Sequence, residues 1–285
     1  MPHLKPPRVP AYFDAFLDAV RHGAQIDHVH LGHWDQPAKA SDDPKEFETA
    51  QTCMAEKLIG LANLRTGQLI LDVGCGFGGL ARLIDAGFSP VGFIGVNIDP
   101  RQLAICKAIS TRPGNRFDWI AADACALPFA SATFDRIFCV EAIFHFASRS
   151  QFLAEAFRVL KPGGRLVLSD ILLDRPGANF AVSAALMEEC LEAELGPWPD
   201  KWHSAAELRS ASLACGFSLE TEIDASAQTL PSYRTIAPST STLTGPAVMR
   251  MLHEGSRLTY LYLGLTKPTE FASLRPMNNL TAGRA

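Results

Sequence analysis

The chain has 285 residues, enough for one large domain or for a core with a smaller cap. Hydrophobic residues make up 47% of it and charged residues 20%, and the formal net charge is −4, so there is no basic excess to suit a phosphate backbone and no nucleic-acid partner is expected. The most apolar run, residues 137–147, is too short to span a bilayer and carries Glu141, the N-terminus lacks the parts of a signal peptide, and the seven cysteines form no Cys-x-x-Cys pair; the chain reads as a soluble, cytoplasmic protein with no membrane partner.

Residues 1–10 hold four prolines and read as a loose arm. Apolar residues at helical spacing predict a helix over 11–23, ending on Gly23. The stretch "IDHVHLGHWD" follows, then a polar loop over 35–43. A second helix runs from Pro44, a residue suited to the first helical turn, to Asn63. From Gln68 the pattern changes to apolar runs alternating with helical segments. Strands are predicted at "QLILDVG", "PVGFIGVNI", "RFDWIAAD", "FDRIFCVEA" and "RLVLSDIL", with helices over 78–86, 100–111 and "SRSQFLAEAFRVL", the last closed by "KPGG". This alternation implies a parallel sheet with helices on both faces. After Arg175 it breaks: helices are expected over 177–195, 204–214 and 244–256, with a sixth strand at "FSLETEID" and a last strand at "LTYLYLGLTKP". The resulting division is an N-terminal helical lid over 1–64, a core over 65–175, a helical substrate cap with the sixth strand over 176–256, and the last core strand with a tail over 257–285. The fold class is α/β: a Rossmann-like, seven-stranded, mostly parallel sheet with helices on both faces and a helical lid.

"LDVGCGFGG" sets Asp72, Gly74, Gly76 and Gly78 directly after a strand. Glycines there allow a tight turn and a close backbone approach to a ligand. The spacing is not that of the dinucleotide fingerprint. A carboxylate beside the loop disfavours a pyrophosphate and suits an ammonium or sulfonium group. At the end of the second strand, Asn97 can bond a ribose diol without charge, and Asp99 can cap the helix that begins at Pro100. In "AADACALPF", Asp123 and the Ala124 amide either meet an adenine edge or, for Asp123, close a turn on their own backbone.

Together "LDVGCGFGGLA", "GVNIDPRQL", "ADACALPFASATFDRI", "VEAIFHF" and "FRVLKPGGRLVLSDIL" resemble the class I S-adenosylmethionine-dependent methyltransferases, and within them the small-molecule O-methyltransferases of natural-product pathways of the rebeccamycin-sugar and rifamycin type. The resemblance covers residues 28–175 well and the remainder loosely. It implies S-adenosyl-L-methionine as cofactor and a small-molecule acceptor as partner; it says nothing of oligomeric state. It also implies that Asp72, Gly74, Cys75 and Gly76 surround the methionine portion, that Asn97 and Gln102 meet the ribose, that Asp123 and Ala124 meet the adenine, and that Glu141 lies near the methionine moiety. "HLGHWD" is similar to the "HLGYWD" lid segment of these enzymes, so Trp34 is expected near the sulfonium. His33 replaces the usual tyrosine and removes its hydroxyl. The pattern H-x-H-x-x-H without a nearby cysteine is a weak metal signature, and no metal is expected.

Methyl transfer from a sulfonium needs alignment and, for a hydroxyl acceptor, a base. His145 lies just beyond the fourth strand and Asp170 at the end of the fifth, so the two are predicted to pair, with Asp170 fixing the imidazole tautomer. The relatives carry "ESLHHM" here; Phe144 takes the first histidine's position, and the base role rests on His145 alone. Tyr233 and the Trp198/Trp202 pair either line a substrate pocket or pack a lid. Methylation on carbon or nitrogen, and a non-methylating cyclase or partner protein, are the alternatives.

Overall fold

The computed structural model describes residues 9–175, 182–237 and 243–269. The start of the predicted proline arm, the first turns of the predicted 177–195 helix and the tail beyond residue 269 lie outside the described residues.

Helix α1 spans Tyr12–Arg21 and α2 spans Pro44–Ala62. Asp43 starts α2 by accepting the Lys45 N–H at 2.9 Å, and Asn63 ends it in a left-handed conformation at φ 49°. The core then runs β1 (Leu69–Val73), α3 (Gly79–Gly87), β2 (Gly92–Asn97), α4 (Pro100–Cys106), β3 (Arg116–Ala121), β4 (Phe134–Val140), α5 (Arg149–Val159) and β5 (Leu160–Leu173). Helix α4 is shorter than its apolar pattern predicts. The Ala108 and Ile109 N–H groups bond carbonyls three residues back, at 3.1 and 3.0 Å, and this tightening ends the helix. The predicted "KPGG" stop lies inside the first residues of β5, with Gly163 at φ 75°.

The C-terminal part adds α6 (Ala184–Leu195), α7 (Ala205–Ala214), β6 (Ser218–Asp224), the short α8 (Ser226–Thr229) and α9 (Tyr233–Ile236), α10 (Gly245–Glu254) and β7 (Leu258–Thr266). Ser204 and Glu207 form a capping box at α7. No signal in the sequence marked α8 and α9.

The seven strands form one sheet in the order β3-β2-β1-β4-β5-β7-β6, with β7 antiparallel to both neighbours and the rest parallel. The order reverses between β1 and β4, the point where such sheets open a crevice beyond their carboxyl ends. Alternate residues feed two cores. Ile70, Phe93, Phe138, Val167 and Tyr260 pack with α2 and α10 residues, and Leu71, Ile137, Leu166, Leu168 and Leu261 pack with α5 and α7 residues. No helix among the described residues is long and apolar enough to cross a membrane.

Residues 28–34 cross the first of these layers as a strap. The Gln51 amide of α2 donates to the carbonyls of His28 and His30, at 3.3 and 2.6 Å, and the His33 N–H donates to the Ala50 carbonyl at 2.8 Å. Gly32 is required by contact: a Cβ there would lie 2.5 Å from the Ala50 Cβ. Gly32→Ala is therefore expected to lower the thermal midpoint by several degrees, from an overpacking cost of about 1–3 kcal/mol. A midpoint unchanged by scanning calorimetry would contradict this packing.

Candidate functional site

Beyond the carboxyl ends of β1, β2 and β4 lies a cavity of about 730 Å³. Its floor is the turn after β1. Gly74, Gly76 and Gly78 adopt φ of 82°, 52° and 84°, and a Cβ on Gly74 would meet the Ala142 Cβ at 2.3 Å. The Gly74 and Cys75 N–H groups bond the Val96 carbonyl at 2.8 and 3.1 Å, which ties the turn to β2. Asp72 is buried on the cavity wall, and among the described residues its carboxylate has no hydrogen-bond partner. Burial pushes it up to about 7.

One side of the cavity holds Asn97, Gln102, Asp123 and Ala124. The Asn97 amide donates to Gln102 Oε1 at 2.9 Å and its oxygen accepts the Asp99 N–H at 3.0 Å, which leaves one amide hydrogen for another partner. Asp99 caps α4 as expected, accepting the Arg101 N–H at 2.9 Å. Asp123 accepts the Cys125 N–H at 2.8 Å, so one carboxylate oxygen closes the turn while the residue still faces the cavity.

Glu141, at the end of β4, has the left-handed φ of 45°. Its Oε1 accepts the Leu31 N–H at 2.7 Å and the Tyr260 hydroxyl. Desolvation raises its carboxyl to about 7, against the lowering effect of these two bonds. The strap also brings His28 and His30 to the cavity. His30 Nδ1 lies 2.7 Å from the Leu31 carbonyl, which can only accept, so Nδ1 carries the hydrogen. Burial lowers His30 to about 3 and His28 to about 4, so both rings are neutral. His30 Nε2 then accepts from His28 Nδ1 at 3.1 Å, and His28 keeps a free acceptor at Nε2.

His145 lies in the short helical turn Ile143–His145. Its Nδ1 is 2.9 Å from the Pro197 carbonyl and must donate to it. Burial lowers the ring to about 4, so Nε2 is an acceptor. The Tyr12 hydroxyl donates to that atom at 3.1 Å.

The description "Methyltransferase domain" matches residues 71–168. The 27-O-demethylrifamycin SV methyltransferase of Amycolatopsis mediterranei is 34% identical over 182 residues, 62% of this chain and 63% of that one. The chain thus spans less than two thirds of that relative's length. O-methyltransferase rstn1 of Aspergillus nomiae is 32% identical, over 56% of this chain and 70% of its own length. The chain belongs to the S-adenosylmethionine-dependent methyltransferases. Its fold agrees: geranyl diphosphate C-methyltransferase from Streptomyces coelicolor A3(2), solved with S-adenosyl-L-homocysteine, superposes with a TM-score of 0.70 at 18% identity, covering 92% of this chain and 100% of that one.

Within this methyltransferase framework two expected positions are corrected. Asp170 does not orient His145. It is fully buried beside Arg149, whose Nε donates to it at 2.9 Å, and the Pro197 carbonyl fixes the His145 tautomer instead. A buried carboxylate takes the strongest countercharge in reach, and Arg149 at the start of α5 supplies it. Trp34 does not line the cavity. Its ring packs on Ala40, Ala50 and Phe47, and its Nε1 donates to Ser232 Oγ at 3.2 Å. Trp198 and Tyr233 are also buried away from the cavity; Trp198 stacks on Phe144 with centroids 4.6 Å apart. Asp72, Gly74, Cys75, Gly76, Asn97, Gln102, Asp123, Ala124, Glu141 and His145 do come together on one cavity. Sequence reasoning missed Tyr12, Pro197 and the acceptor on His28, none of which lies in a recurring motif.

Asp72 and Glu141 both favour their neutral forms in the folded chain. Such groups add stability below their unfolded pKa near 4, and that contribution is lost as pH rises through about 7. The buried rings of His28, His30 and His145 act in the opposite sense, because their lowered pKa values add stability as pH rises from about 4 towards their unfolded value near 6.5. The carboxyl contribution is therefore read as a difference: between pH 5 and pH 8 the thermal midpoint of the unaltered chain is expected to fall by several degrees relative to that of Glu141→Gln. A difference that rises over this range would contradict the assignment.

Proposed function

We propose that the chain is a small-molecule O-methyltransferase using S-adenosyl-L-methionine, with His145 as general base. The observation that carries the reading is the Nε2 atom of His145. It is held as an acceptor by the Pro197 bond, it faces the cavity, and a hydroxyl already donates to it. The relatives reported above, the 27-O-demethylrifamycin SV methyltransferase and O-methyltransferase rstn1, are named as O-methyltransferases and point the same way.

The residues present fit the cofactor. Among the described residues the Asp72 carboxylate has no hydrogen-bond partner and Glu141 uses only one of its oxygens, so both can face an ammonium or sulfonium. The backbone at Gly74, Cys75 and Gly76 would lie against the methionine portion. Asn97 and Gln102 would take the ribose, and Asp123 with the Ala124 amide the adenine. When bound, S-adenosylmethionine supplies a methyl group already activated on sulfur. The chain's own work is to align the acceptor, exclude water with the strap, and hold the departing proton on His145 Nε2.

The test is methyl transfer to hydroxylated natural-product acceptors, read by product mass and fragmentation. His145→Ala is expected to lower turnover by about 10²- to 10⁴-fold while S-adenosylhomocysteine still binds. A loss under tenfold, or a product methylated on carbon or nitrogen, would overturn the reading.

A further inference from the structure

The aryl ring of Tyr12 occupies the place beside the base. Its hydroxyl donates to His145 Nε2 at 3.1 Å, and its ring centroid lies 6.0 Å from the imidazole's. The cavity lining includes the apolar, ring-bearing side chains of Phe146, Pro197 and Pro199, which do not belong to α1. Among the described residues that line the cavity there is no lysine or arginine, while Asp27, Asp72, Asp123 and Glu141 are carboxylates. An anionic acceptor would meet like charge here without a countercharge.

We infer that the acceptor is an uncharged aryl hydroxyl compound, and that Tyr12 is a built-in stand-in for it that the acceptor displaces by moving α1. The inference rests on the O-methyltransferase reading above. Displacement is feasible because α1 is held lightly. Its ion pair, Asp14 to Arg101 at 2.7 Å, is exposed on both sides; besides the Tyr12–His145 contact, its ring contact with the rest of the chain is one edge-on pair, Phe13 to Phe77, and Leu17 is its one buried side chain.

Base strength supports the same class. Burial lowers His145 to about 4, which makes it a weak base. An aryl hydroxyl is ordinarily near 10, against roughly 15.7 for water and close to that for an aliphatic hydroxyl; burial raises either one here, as it raises that of Tyr12, and leaves the aryl hydroxyl the nearer match. The step balances. The acceptor's O–H bond breaks and its proton passes to His145 Nε2. The oxygen lone pair forms the new O–C bond as the methyl–sulfur bond breaks, and that electron pair stays on sulfur. The products are an aryl methyl ether and S-adenosylhomocysteine, and His145 returns its proton to water.

The probe is p-cresol, the side chain of tyrosine as a free molecule. It is titrated calorimetrically into the S-adenosylhomocysteine-saturated chain, with 4-methylcyclohexanol and 4-hydroxybenzoate as comparisons. Tyr12→Ala is expected to bind p-cresol at least tenfold more tightly than the unaltered chain, to discriminate against both comparisons by at least tenfold, and to lose the binding when His145→Ala is added. With S-adenosylmethionine it should form 4-methylanisole. Should Tyr12→Ala fail to fold, Asp14→Asn frees α1 with every cavity residue intact, and it should tighten p-cresol binding severalfold. Binding of p-cresol no tighter in the folded variant than in the unaltered chain, or equal binding of the alicyclic alcohol or the anion, overturns the inference. Failure of the unaltered chain to bind S-adenosylhomocysteine would instead defeat the underlying reading of the cavity.

Discussion

One carboxylate joins the parts of this fold that have to meet. Glu141 stands at the end of β4 with its backbone in the left-handed region, so its side chain turns out of the strand line and over the sheet's carboxyl edge. From there it takes the amide of Leu31, 110 residues earlier, and the hydroxyl of Tyr260, 119 residues later. The strap, the sheet's switch point and the antiparallel strand β7 are thus pinned to one atom. A charge so placed costs desolvation, and its raised pKa is the record of that cost. On the proposed reading a cationic ligand in the cavity would offset it, so the group that fastens the strap would also face that ligand.

The same economy holds along the strap. Its three histidines look like metal ligands in sequence. In the fold, His30 bonds the Leu31 carbonyl and His28, and His33 bonds the Tyr262 hydroxyl at 3.0 Å, so the rings fasten residues 28–34 to their neighbours. Gln51 from α2 and Ser232 before α9 complete the fastening, with Ser232 Oγ accepting the Gly32 N–H at 2.9 Å. Neutral imidazoles suit this work, because a charged ring in a buried strap would demand a countercharge that the cavity reserves for a ligand.

Much of this was legible along the chain because it is local. Apolar runs ending in Asp72 and Asn97, the glycines at 74, 76 and 78, and the cap at Asp99 are each decided within a few residues, by sheet burial, by positive φ and by one side-chain bond. The pairing of His145 with Asp170 was a statement about tertiary neighbours, and there Arg149 won because a fully buried carboxylate needs a full countercharge. Trp34 sits in the expected segment, but which way its ring faces was set by Ala50 and Ser232, the latter 198 residues distant. Tyr12 was illegible for the same reason. Nothing in an amphipathic N-terminal helix announces that one hydroxyl will meet an imidazole 133 residues on. Chemistry-bearing contacts made across the sheet edge leave no period in the sequence.

The central claim is that the cavity beyond β1, β2 and β4 takes the cationic end of S-adenosylmethionine against Asp72 and Glu141. It is tested most directly by calorimetric titration of the chelator-treated chain with S-adenosylhomocysteine, whose ammonium group is retained, at neutral pH in two buffers of different ionisation enthalpy. The account predicts one-to-one binding in the micromolar range with net release of protons, because an ammonium beside these carboxyls drives them to ionise. A folded chain that does not bind, or one that takes up protons on binding, would contradict it.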